Sequence, residues 1–65
     1  MVDINRLKSV MVLNGRTGED VAEHLGMTPK TFYTKMKKKV FGSDEIEKMI
    51  DYLNIDDPIA VFFAK

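Results

Sequence analysis

Four breaks constrain what this chain can fold into. Gly15, Gly26, Gly42 and the pair Asp57-Pro58 interrupt it at short intervals. Between the breaks, apolar residues recur at helical spacing. The pattern predicts an all-α fold, a compact bundle of four to five short helices, in a single domain over residues 1–65. Packing alone must hold such segments together. The chain has no cysteine for a disulfide or thiolate zinc site and only one histidine, so a structural metal is not expected. A domain of 65 residues buries only about 60% of its unfolded surface. Its 45% hydrophobic content must therefore be placed economically.

Each segment carries its own start signal. Asp3 caps a first helix running to about Asn14, with Ile4, Leu7, Val10 and Met11 as its inner stripe. Thr17 opens a second helix as a capping-box-like Thr-Gly-Glu-Asp, with Asp20 three residues on. Val21, Ala22 and Leu25 face inward, and Gly26 ends it. Thr28-Pro29 is the clearest start in the chain, a hydroxyl cap followed by proline at the first helical position. Met27 and Phe32 are spaced as a hydrophobic staple across that cap. Phe32 and Met36 form the buried stripe of this third helix, spanning residues 28–39. Its opposite side carries Lys30, Thr34 and Lys37, flanked by Thr31, Tyr33 and Lys38.

Ser43 is expected to cap a fourth helix with Ile46, Met49, Ile50 and Leu53 inside, and Asp44 and Glu45 suit its first turn. Met11, Met36 and Met49 are read as core filler, and His24 as an ordinary surface residue. Asp57-Pro58 starts a fifth short helix, in which Ile59, Phe62 and Phe63 share one side. That side either closes the core or forms a dimer contact.

Charge is balanced overall, ten bases against ten acids, but segregated along the chain. Residues 27–42 hold Lys30, Lys35, Lys37, Lys38 and Lys39 with no acid. Residues 43–57 hold Asp44, Glu45, Glu47, Asp51, Asp56 and Asp57 against Lys48. One basic element in a neutral chain can still present a local phosphate-binding surface. No stretch approaches the ~20 apolar residues that span a bilayer, and the first residues lack the apolar run of a secretory signal. The expectation is a soluble, cytoplasmic protein. No nucleophile–base pair, glycine-rich phosphate loop or metal-spaced cluster stands out, so the chain reads as neither an enzyme nor a binder of cofactors or small molecules.

The informative unit is helix, tight turn, helix across residues 17–39. The second helix of the pair bears cations and short hydroxyls outward, which matches a DNA major groove. Lysine donates to guanine O6 and N7, threonine touches thymine methyls, and further lysines reach phosphates. The run Ala22-Glu23-His24-Leu25-Gly26-Met27-Thr28, followed by Thr31-Phe32, resembles the Cro/repressor-type helix-turn-helix of temperate bacteriophages. The ending Thr31-Phe32 to Lys39 is similar to small phage regulators of Gram-positive hosts.

The resemblance covers roughly residues 5–55. It implies a lambda-repressor-like fold in a bacterial host cell, and a Cro-like repressor that binds double-stranded DNA, with a homodimer on DNA as one arrangement. It also implies that Lys30, Tyr33 and Thr34 read bases, although Tyr33 equally suits packing beside Phe32. Phosphate contacts are expected from Arg16, Thr17, Thr28, Thr31, Lys35, Lys37, Lys38 and Lys39. The chain departs from the family pattern at four positions. Gly18 stands where many relatives have glutamine, Pro29 where a polar reader is common, and Arg16 and Lys35 where apolar residues are usual. The other reading keeps the fold and drops the DNA: a protein-interaction module, an anti-repressor or modulator, working through the acidic helix and the apolar C-terminal segment.

Overall fold

A computed structural model describes residues 1–64. Five helices follow one another: α1 (Ile4–Leu13), α2 (Gly18–Leu25), α3 (Pro29–Lys38), α4 (Ser43–Tyr52) and α5 (Pro58–Phe62). The fold is an all-α bundle, with no strand among the described residues. No helix among those residues is long and apolar enough to cross a membrane.

The helix starts follow local chemistry. Asp3 Oδ1 accepts from the Arg6 N–H, and the Thr17 and Thr28 hydroxyls accept from the Asp20 and Thr31 N–H groups. Asp20 returns the contact by accepting from the Thr17 N–H at 2.9 Å, which completes the capping box. Hydrogen bonds from the Thr17 backbone and hydroxyl, with Arg16 nearby, hold the Asp20 carboxyl below its usual range. Asp57 caps α5 through the Ala60 N–H. At α4 the expectation fails. Gly42, not Ser43, takes the cap position, and Ser43 is already helical. Glu45 Oε1 instead accepts from the Gly42 N–H at 2.8 Å, and no side chain at the cap position accepts from the first turn of α4.

Helices α1 to α4 stop in one manner. At each end a residue turns left-handed, and its N–H and that of the next residue close back on the last turn. Gly26 (φ 75°) donates to the Glu23 carbonyl while Met27 donates to that of Ala22. Gly15, Lys39 and Asn54 end α1, α3 and α4 through the same pair of bonds. Glycine adopts this conformation without a Cβ penalty, whereas Lys39 (φ 59°) pays a steric cost of roughly 1 kcal/mol. The break sought at Gly42 thus lies three residues earlier, and residues 39–42 become a connecting loop.

Helix α2 packs on both α3 and α4, and α1 packs on α5. The core combines the expected stripes with residues from outside them. Leu7, Met11, Val21, Ala22, Leu25, Phe32, Met36, Met49 and Leu53 are buried as their spacing requires. Val2, Phe41 and Ile55, all outside the helices, are buried with them. The Phe41 ring lies 5.7 Å from that of Phe32 and closes the core between α3 and α4. At the C-terminal end the expected face is corrected. Val61 and Phe62 are buried, whereas Ile59 is 70% and Phe63 57% exposed. The Asp3 N–H donates to the Val61 carbonyl at 2.7 Å and ties α5 to the first residues, and α5 packs on α1 with Val61 and Phe62 inward. Asn14 joins the halves by donating through Nδ2 to the carbonyls of Val10 (2.9 Å) and Leu53 (2.7 Å).

Candidate nucleic-acid interface

Phe32 and Met36 anchor α3 inward, so its other positions are turned toward solvent. Lys30, Thr31, Thr34, Lys37 and Lys38 are exposed on that outer side, and Lys39 is exposed at its end. None of these lysines takes part in an ion pair among the described residues. The helix contains no acid, and its last turn is basic.

Hydroxyl geometry narrows what the threonines can offer. Thr34 Oγ1 donates to the Lys30 carbonyl at 2.9 Å, so its hydroxyl proton is used within the helix and its methyl group is what it presents. Thr28 Oγ1 accepts from the Thr31 N–H and donates to Thr31 Oγ1 at 3.0 Å. Thr17 Oγ1 serves its own cap in the same way.

Gly18 and Lys35 each meet a partner from another helix. A Cβ on Gly18 would run into the Tyr33 phenol, which occupies that space at the start of α2. Gly18 is buried as a result, and Tyr33, 48% exposed, bridges α3 to α2. Lys35 Nζ donates to Glu45 Oε2 at 2.6 Å, tying α3 to α4. Its charge is committed to that partner, unlike those of Lys30, Lys37 and Lys38. Glu45 thereby serves both the α4 cap and α3. Burial raises its pKa, but the hydrogen bonds from Lys35 and Gly42, aided by the charges of Lys35 and Lys48, outweigh burial and lower it.

A carboxylate with a depressed folded-state pKa contributes stability that is present above its unfolded value and lost as the pH falls through the folded one. Wild-type stability should therefore decline on acidification below the ordinary glutamate value of 4.5. Glu45→Gln is expected to flatten that decline and to cost up to about 1 kcal/mol at neutral pH. Urea titrations of both proteins at neutral and acidic pH check this. An unchanged acid limb in the variant would show that Glu45 does not carry it.

Arg16 and His24 meet on one aromatic ring. The Arg16 guanidinium lies 4.8 Å from the Tyr52 ring centroid, and the His24 imidazole stacks on Tyr52 at 4.0 Å and 11°. His24 therefore joins α2 to α4, a role its sequence position did not disclose. A second feature missed at that level is a shallow groove of about 440 Å³ along α3, lined by Lys30, Thr31, Thr34, Lys35, Lys38, Val40 and Gly42. Its only advance signal was Val40, an aliphatic residue following a run of lysines.

No family model, curated protein or solved structure matches the chain. Function therefore rests on the geometry of α2 and α3 and on their side chains.

Proposed function

We propose that the chain is a sequence-specific double-stranded DNA-binding regulator whose α2 and α3 form a helix-turn-helix, with α3 entering the major groove. The carrying observation is the outer side of α3, where Lys30, Thr34, Lys37 and Lys38 are exposed with no acid on the helix. Ten residues of α helix extend about 15 Å, and the major groove is about 12 Å wide. Lys30 and the Thr34 methyl group face base edges, while Lys37, Lys38 and Lys39 neutralise phosphates. Tyr33, held over Gly18, contributes to the placement of α3 against α2 rather than to base reading. The resemblance to Cro-type regulators gives the proposed biological setting: a repressor of phage or prophage genes in the bacterial cytoplasm, occluding a promoter. Two copies would then occupy half-sites about one helical turn apart.

Salt-titrated binding to random duplex DNA tests the class. With about three phosphates neutralised, a fourfold rise in salt is expected to weaken binding about 40-fold. Lys37→Ala or Lys38→Ala should weaken binding to all duplexes alike and lower the salt slope by about 1. Lys30→Ala should cost about 1–3 kcal/mol on a site selected from a random pool and little on random DNA. Equal losses on both would remove Lys30 from base reading.

A second reading draws on Ile59 and Phe63, exposed four residues apart on α5, and on the exposed acids Asp44, Glu47 and Asp51 of α4. These suit a protein-interaction module, an anti-repressor or modulator. Absence of duplex binding even at low salt would favour it.

A further inference from the structure

We propose that the groove between α3 and the residue 39–42 loop is a receptor for the 5-methyl group of a thymine, and that Val40 determines selectivity there. This proposal rests on the DNA reading above and deepens it. Val40 is 65% exposed although aliphatic, and it lies beside the most basic run of the chain. The closure of α3 holds it in place: Lys39 turns left-handed and the Val40 N–H donates to the Lys35 carbonyl at 3.2 Å. Val40 therefore sits on a fixed turn rather than on a freely moving loop.

The chemistry of the lining selects the occupant. Thr34 spends its hydroxyl proton on the Lys30 carbonyl, and Thr31 Oγ1 accepts from Thr28. Lys35, at one edge, is neutralised by Glu45 at 2.6 Å. The groove thus offers the Thr34 methyl group and the valine side chain, beside the Thr31 hydroxyl and the exposed Lys30 and Lys38. Such a slot suits a small apolar group carried by a polyanion. In the major groove, thymine presents its 5-methyl group among the phosphates of its own strand. Cytosine carries only a hydrogen at the same ring position and would leave the valine and threonine methyls without that contact. An acidic peptide with an aliphatic side chain would satisfy the same charges, but nothing here selects an extended backbone, and the position on α3 favours DNA.

The test replaces the thymines of a duplex selected from a random pool, one at a time, by uracil. This removes the methyl group and keeps every hydrogen bond. At one position wild type is expected to lose affinity about fourfold, the factor corresponding to about 0.8 kcal/mol for one buried carbon. Val40→Ala should bind the thymine duplex more weakly than wild type by a similar factor and show no further loss with uracil there. Val40→Thr, which keeps the shape and exchanges a methyl for a hydroxyl, should behave the same way. Because Val40 is exposed, both variants should keep the wild-type melting transition, which circular dichroism checks. The proposal is overturned if no thymine is sensitive, or if the sensitive one is equally sensitive in both variants. In either case selective binding would stand and the DNA reading with it. Absence of any duplex binding overturns both together.

Discussion

Deletion of residues 58–65 is expected to abolish the cooperative thermal transition of this domain. The removed segment carries Val61 and Phe62, both buried, and the Val61 carbonyl that accepts the Asp3 N–H at 2.7 Å. A buried phenylalanine contributes about 3–5 kcal/mol relative to alanine. Domains are stable by roughly 0.05–0.15 kcal/mol per residue, so a chain of this length has about 3–10 kcal/mol in all. Losing Phe62 and Val61 together, and uncovering the face of α1 that α5 packs on, consumes most of that margin. Two point variants separate core loss from a generic effect of shortening. Phe62→Ala should lower stability by about 3–5 kcal/mol, while Phe63→Ala, at an exposed position, should change it by less than about 0.5 kcal/mol. Circular dichroism melts decide the matter. A cooperative transition of the truncated chain near the full-length midpoint would show that α5 does not close the core.

Phe32→Ala should be comparably damaging and should remove any DNA binding with it. Phe32 is fully buried, its ring lies 5.7 Å from that of Phe41, and it anchors the middle of α3. Truncation leaves a cavity beneath the one helix whose outer side is proposed to meet DNA, at a cost of about 3–5 kcal/mol. The same loss frees Phe41, which no helix holds in place. Phe32→Leu retains most of the volume and should lose about 1–2 kcal/mol less than alanine. Each kilocalorie shifts the melting point of so small a domain by about 4–8 °C. A Phe32→Ala protein that melts within a few degrees of wild type would show that α3 is held by other contacts.

The same physics separates what was legible in the residues from what was not. The caps at Asp3, Thr17, Thr28 and Asp57 are contacts between groups three residues apart, so the residue types alone determine them. The left-handed stops at Gly15 and Gly26 follow from the missing Cβ. The apolar stripes of α1 to α4 follow from helical period, and with them the all-α class and the outward lysines of α3.

Other positions depend on where distant chain segments come to lie. Lys39 turns left-handed without being glycine, because residues 40–42 must bring Phe41 back under Phe32. The Tyr33 phenol, fifteen positions later, fills the space beside Gly18, and Lys35 finds Glu45 ten positions on. His24 lies on Tyr52 only because α2 and α4 pack together. The choice of Val61 rather than Ile59 and Phe63 for the core was equally hidden. All three suit an apolar face, and which side turns inward depends on how α5 packs against α1 and the first residues at the other end of the chain. Residue type and period determined the helices, their ends and the side of α3 that carries charge. Only the tertiary structure decided which of those charges remain exposed, because a salt bridge or an aromatic stack depends on side chains that the fold brings together from separate helices.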